Sequence, residues 1–214
     1  MGTSTALWSF AVVVGLLTLT PGLDTALILR TAALGRRAEA WGVVLGIQTG
    51  TLIWGTLSSL GVTALLAASH AAYDAVRLVG AGYLLWMGAR MLWNSMRRHA
   101  AAEPAEAAEV RSAPGGGLRT GWRRGALTNL LNPKMGVFYV AVLPQFIPAG
   151  APHLTMGVLL TCVHVAEGLI WSSLLVAFAG VLRGWLRRPV AQRVLDRVTG
   201  TVVVGFGLKL ALGD

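Results

Sequence analysis

Six apolar runs, each long enough to cross a lipid bilayer as a helix, dominate this 214-residue sequence. They cover roughly residues 6–29, 41–68, 75–93, 127–147, 154–182 and 190–212. Hydrophobic residues make up 55% of the chain and charged residues 13%, whereas an ordinary soluble domain has about 25% charged residues. A soluble fold of this length could not cover so much apolar surface with polar groups. We therefore predict an all-α membrane protein of about six transmembrane helices in a lipid bilayer.

The positive charges, which give a formal net charge of +9, lie between the apolar runs. They form no single patch interleaved with aromatic residues, so we expect no nucleic-acid binding. The first, third and fifth connections carry three, seven and five Arg, whereas the second carries only Arg77 and the fourth none. Because basic connections stay in the cytoplasm, these three are predicted inside and both termini outside. Arg outnumbers Lys 16 to 2, which is typical of GC-rich bacterial genomes and favours the bacterial cytoplasmic (inner) membrane.

One long connection, residues 97–121, divides the chain into two halves, 1–96 and 122–214. It is rich in Ala, Glu, Pro and Gly, so it has little to bury and is predicted to be a mobile cytoplasmic linker. Three short motifs recur at offsets of 112, 117 and 120: residues 20–22 with 132–134, 52–54 with 169–171, and 77–80 with 197–200. Since each half has an odd number of helices, the second would enter the membrane from the opposite side. The pattern predicts two inverted three-helix repeats within a single transporter domain.

The sharpest motif is Thr20-Pro21-Gly22-Leu23-Asp24 in the first apolar run. Pro21 removes a backbone donor and Gly22 loosens the helix beside it. Asp24 adds a carboxylate to this break, and ionisable groups within spanning helices are costly and usually functional. The alternative is a kinked packing helix in which Asp24 lies close enough to the cytoplasm to be hydrated.

A second break follows in the fourth run, at Asn129-Leu-Leu-Asn132-Pro133-Lys134. Asn129 and Asn132 could satisfy backbone groups that Pro133 leaves unpaired. Lys134 supplies a cation beside the break, although it could instead extend to the cytoplasmic interface.

His164 and Glu167 lie three residues apart in the fifth run and so share a helix face. A carboxyl group buried in a membrane favours its neutral form, which suits a proton relay. The alternative is a structural hydrogen bond between the two side chains.

Gly42, Gly46 and Gly50 form a stripe in the second run, which favours close helix packing and would permit a homodimer. The single cysteine, Cys162, excludes a disulfide or a CxxC pair within one chain. There is no phosphate-binding loop, so transport driven by ATP through this chain alone is not expected. We predict no cofactor, no metal site and no enzymatic activity.

These motifs together resemble the lysine exporter (LysE/RhtB) family of amino-acid efflux proteins. The resemblance spans nearly the whole chain in the family's motif order. It is carried by the residues at 19–24, by Gly46-Ile-Gln-Thr-Gly50 with Trp54, by Gly80-Ala-Gly-Tyr83-Leu84 with Gly88, by 125–134, and by Pro144-Gln145-Phe146. It implies six helices, an inverted repeat and export driven by the proton motive force.

Two positions depart from that family. Leu23 stands where the family usually has a second Pro, and Thr51 stands where an acidic residue or Asn often follows the glycine. Glu167 is not carried over as a family residue. These departures bear on the substrate more than on the fold.

We therefore predict a secondary transporter that exports a small zwitterionic amino acid or derivative. Asp24 would favour the ammonium group of this substrate, and the exposed amides of the half-helices would favour its carboxylate. The alternatives are a metal or inorganic-ion exporter of related architecture, a membrane enzyme or thiol-redox relay, and a scaffold without transport. The lack of a His or Cys cluster argues against the first and the single cysteine against redox work. Intramembrane Asp24, Lys134 and Glu167 argue against a scaffold.

Overall fold

The computed structural model describes residues 2–97, 116–186 and 188–212, and within these ranges the chain is helical with no strand. The helices are α1 (Thr3–Leu19), α2 (Leu23–Ala33), α3 (Arg37–Ala68), α4 (His70–Arg97), α5 (Leu118–Leu130), α6 (Pro133–Val137), α7 (His153–Ala177), α8 (Ala179–Leu186) and α9 (Pro189–Leu212). A π-helical turn (Phe138–Val142) and a 3-10 turn (Leu143–Phe146) continue α6.

Membrane-spanning character is clearest in three parts of the described chain. The segments Arg37–Gly61 of α3 and His153–Ala177 of α7 are each long and apolar enough to cross a bilayer. The pair α1 and α2 meets the same condition as one broken span, bent by 53°. Large apolar side chains such as Trp8, Val79 and Ile170 point outward, each at least 65% exposed, as expected of a lipid-facing surface. The six-span count stays a prediction.

The break between α1 and α2 lies where the sequence predicts it. Thr20 and Gly22 have extended backbones, so the helix stops at Leu19 and restarts at Leu23. Pro21, between them, lacks the N–H that a continuous helix would need.

The fourth apolar run is more irregular than one straight span. α5 begins at Leu118, so the last four residues of the expected linker, 118–121, are helical. The helix then breaks at Leu131 and Asn132 before Pro133 begins α6. Most of the expected linker, residues 98–115, lies outside the described residues.

The glycine stripe of α3 packs inside the chain, against α5. A Cβ on Gly46 would lie 2.0 Å from the Trp122 carbonyl oxygen, and one on Gly42 would lie 2.1 Å from that of Leu118. Gly121 and Gly125 of α5 approach the α3 backbone equally closely. The prediction of close packing is thus realised between the two halves of one chain, and a homodimer would have to use another surface.

Two clusters of buried apolar residues flank the helix breaks. One joins Phe10, Val14 and Leu17 of α1 to the segment 135–146 and to α4. The other joins Ile28 and Leu29 of α2 to the N-terminal half of α3 and to the end of α7. The space between these clusters holds the polar residues described next.

Candidate functional site

A cavity of about 60 Å³ lies between the two broken helices. A polar cavity of this size has room for water or for the polar part of a small solute. Both halves contribute to it. Its polar walls are formed by Thr18, Thr20, Asp24, Thr25, Gln48, Thr51, Asn129, Asn132, Lys134, His164, Trp171 and Ser172, and apolar side chains including Leu17, Ile28, Ile47, Met135 and Leu175 complete them.

Asp24 places a carboxylate in this cavity from the first turn of α2. That position suits a negative charge, because the unpaired amides of a helix N-terminus carry positive partial charge. Its Oδ2 accepts a hydrogen bond from Asn129 Nδ2 at 2.9 Å, whereas its buried Oδ1 has no hydrogen-bond partner among the described residues. One carboxylate oxygen is therefore held in place while the other remains available to a ligand.

Lys134 brings the opposite charge from the other half of the chain. Its Nζ lies 3.0 Å from the carbonyl oxygen of Leu17 and 3.5 Å from that of Thr20, at the C-terminal end of α1. Asp24 and Lys134 attract each other through space, yet they form no contact ion pair in the part of the chain that the structure describes. A structural salt bridge between Asp24 and Lys134 is therefore absent.

The second break is organised by its asparagines, as their position in the motif suggests. Asn132 is the N-cap of α6, and its Oδ1 accepts from the Lys134 backbone N–H at 3.1 Å, with Pro133 at the first helical position. The Asn129 carbonyl, whose helical donor would have been Pro133, accepts from Trp54 Nε1 at 3.4 Å. The same carbonyl also accepts from the Asn132 backbone N–H at 3.1 Å, so a local and a tertiary hydrogen bond together satisfy the backbone that the proline interrupts.

His164 and Glu167 separate into different surroundings. His164 is buried at the cavity wall, and its Nδ1 shares a hydrogen bond of 2.8 Å with Tyr139 Oη, so its partner is Tyr139 and not Glu167. Glu167 does not line the cavity. It faces α1, where a Cβ on Gly15 would lie 3.2 Å from its Oε2, and that oxygen has no hydrogen-bond partner among the described residues.

Three cavity residues with unpartnered polar atoms are not among the predicted site residues. Gln48 Oε1, Thr18 Oγ1 and Trp171 Nε1 are buried, face the cavity region and have no hydrogen-bond partner in the described ranges. Trp171 is the equivalent of Trp54 in the predicted repeat, and this is the one feature of the sequence that marks it. Gln48 lies in the Gly46-Ile-Gln-Thr-Gly50 motif that carries the family resemblance, whereas Thr18 is uncharged and sits in an apolar run, so nothing in the pattern marks it.

A second ionic cluster, away from the cavity, ties the N-terminal ends of α3 and α5 together. Glu39 is 1% exposed and accepts from Arg124 Nη1 at 2.6 Å and from the Gly116 N–H at 3.2 Å. Arg36 Nη1 lies 3.7 Å away. The sequence pattern marks these arginines only as topology signals, but the structure also gives Arg124 a role in joining the two halves.

Comparison with known proteins agrees with these features. Residues 15–214 match the LysE type translocator family. An uncharacterized membrane protein of Pseudomonas aeruginosa is 32% identical over 97% of this chain and 95% of its own. A leucine efflux protein of Enterobacter sp. is 29% identical, covering 95% of this chain and 94% of its own. The threonine efflux protein of Escherichia coli K12 is 27% identical over 91% of both chains. No solved structure matches. Since the family match extends over most of a chain with apolar spans, this multi-pass membrane protein belongs to the LysE type translocator family.

Proposed function

We propose that this protein exports a small zwitterionic amino acid from the cytoplasm as a secondary transporter driven by the proton motive force. The observation that carries the proposal is the cavity between the broken helices, where a carboxylate and an ammonium from opposite halves face one space without pairing. A zwitterionic substrate carries an ammonium group that can pair with this carboxylate and a carboxylate that can pair with this ammonium. The efflux names of the Enterobacter and Escherichia relatives support amino acids as the cargo.

The two ends of the substrate meet different groups in this proposal. Asp24 Oδ1, which has no hydrogen-bond partner within the described ranges, accepts from the substrate ammonium. The substrate carboxylate lies towards the Lys134 ammonium, which has three N–H donors. Two of them point to carbonyl oxygens, which leaves one for the substrate. Trp171 Nε1, also unpartnered there, is a further donor for the carboxylate.

Alternating access would follow from two inverted three-helix repeats, with both termini outside the cytoplasm. Support comes from the two proline breaks, which lie at equivalent positions of the predicted repeat and both line one cavity. In transporters built from inverted repeats, substrate sites lie at the repeat interface between such discontinuous helices. Rocking of one half about the cavity would then expose it to each side in turn.

Proton coupling is assigned to Glu167, with His164 one turn away on the same helix. Glu167 is a half-buried carboxyl with an unpartnered oxygen, placed between α7 and α1, which itself ends at the cavity. Such a group can bind and release a proton without disturbing an existing ion pair.

The experiment is a screen in proteoliposomes. Purified protein is reconstituted, and labelled leucine, threonine, lysine and glutamate are offered with and without an imposed pH gradient. We expect the gradient to drive uphill movement of at least one neutral amino acid. Gradient-independent permeation, or movement of none of them, would contradict the proposal.

Of the alternatives, a metal exporter has the least support. The described residues contain no group of three or more His, Cys, Asp or Glu side chains placed to hold a metal ion.

A further inference from the structure

Pro21 creates a specific vacancy in the hydrogen bonding of α1. In a continuous helix the Leu17 carbonyl would accept from the backbone N–H four residues later, but residue 21 is proline and has none. A carbonyl left unpaired in a low-dielectric interior is costly. The C-terminal end of a helix also carries negative partial charge, which adds to the attraction for a cation.

Lys134, which belongs to another helix, donates to this unpaired carbonyl. Its Nζ lies 3.0 Å from the Leu17 carbonyl oxygen and 3.5 Å from that of Thr20. Thr18, the next residue of α1, lines the same cavity, and its Oγ1 is buried and has no hydrogen-bond partner among the described residues. Broken-helix ends with exposed carbonyls are where secondary transporters coordinate a coupling cation such as Na⁺.

We propose that the C-terminal end of α1 is a monovalent-cation site, and that the Lys134 ammonium is its permanently tethered occupant. The protein consequently binds no Na⁺ at this position. The inference deepens the proposed function, on which it rests for its meaning in transport, since it excludes Na⁺ from that site as the coupling ion.

The placement of Lys134 within its own helix supports the assignment. It follows Pro133 directly in the five-residue helix α6, which is too short for a helix dipole of its own to hold a cation. Its favourable partner is therefore the end of α1 and not α6. The carboxylates of Asp24 in α2 and Asp196 in α9 attract it through space, and His164 is a titratable group of α7 that acts on it as well.

The test is chemical rescue of Lys134→Ala, which removes the tethered ammonium and leaves space for a small ion. Thermal unfolding of the purified variant is followed with methylammonium or tetramethylammonium in the buffer. At about ten times its dissociation constant, methylammonium should raise the Tm by about 3–6 °C. Tetramethylammonium, which has no N–H to donate, should give no rise. Equal responses to both ions, or to neither, would overturn the proposal.

Two control variants separate this effect from general salt stabilisation. In Lys134→Met the apolar side chain fills the same space, so methylammonium should have no effect. Lys209→Ala removes the chain's other lysine and should respond as the wild type does, without a methylammonium effect. A rise in either control would also contradict the site.

The wild-type protein provides a measurement that does not depend on any variant folding. Its Tm should be the same in Na⁺ and in choline at equal ionic strength, and a Na⁺-specific rise would overturn the proposal. Because these readouts are unfolding temperatures, they distinguish an error about the cation site from an error about amino-acid export, which only the transport screen tests.

Discussion

The Asn129 side-chain amide donates to Asp24 Oδ2 at 2.9 Å and thereby joins the last turn of α5 to the first turn of α2. The Lys134 ammonium donates to the Leu17 carbonyl and so joins the same two breaks a second time. Both donors belong to the second half of the chain, and both acceptors lie at the helix break of the first half. Asp24 and Lys134 both keep hydrogen-bonding capacity that faces the cavity, which is the property a transport site needs.

Glu167→Gln should abolish uphill export driven by a pH gradient, because the amide can no longer exchange a proton. Exchange of substrate across the membrane should survive, since Glu167 does not line the cavity. The measurement compares gradient-driven export with counterflow in the same proteoliposomes. Unchanged uphill export would show that Glu167 is not the coupling group, and Asp24 would be the next candidate.

Arg124→Met should destabilise the protein more than Glu39→Gln. The first leaves a carboxylate that is 1% exposed without its closest cation, whereas the second leaves an arginine whose side chain is 27% exposed. Removing one partner of a buried pair costs about 3–5 kcal/mol, an upper figure here because Arg124 reaches solvent. The Tm of each variant in detergent shows which of the two is less stable. The exposed neighbour Arg123, replaced by Met, is the control and should change little; equal losses at 123 and 124 would refute a specific pair.

Gly46→Ala should reduce the amount of folded protein, because its Cβ would lie 2.0 Å from the Trp122 carbonyl oxygen of α5. Forcing two backbones apart costs about 1–3 kcal/mol. Gly82→Ala in α4 is the matched control, since nothing lies within 4 Å of its Cβ and Ala favours a helix by about 1 kcal/mol. Size-exclusion profiles and Tm report both effects. Equal behaviour of the two variants would argue against the close contact of α3 with α5.

Both termini should face away from the cytoplasm. In a Cys162→Ala background, Thr3→Cys and Gly213→Cys should each react with a membrane-impermeant thiol reagent added to intact cells. The Arg-rich first, third and fifth connections are the reason. Reaction only after permeabilisation would reverse the orientation.

The sequence predicts the helix breaks well, because a proline lacks an N–H wherever it occurs. It does not predict which group satisfies the freed carbonyl, since Leu17 and Lys134 are far apart in the chain and meet only through tertiary packing. The early start of α5 was missed for a similar reason. Arg119 and Arg123 made the segment look like a loop, whereas Gly121 shows that it packs on α3 as a helix. The sequence does not predict the burial of Glu39, because a glutamate among arginines in a polar connection is usually a surface charge.

The central claim is that Asp24 and Lys134 hold the two ends of a zwitterion and do not serve only to assemble the fold. Counterflow of labelled amino acid by Asp24→Asn, by Lys134→Met and by the double variant tests it most directly, with folded protein in the membrane quantified alongside. Asp74→Asn, at an exposed position of α4, is the control and should transport normally. We predict that Asp24→Asn is folded but inactive and that the double variant is inactive as well. Wild-type-like counterflow by the double variant would contradict the claim for both residues.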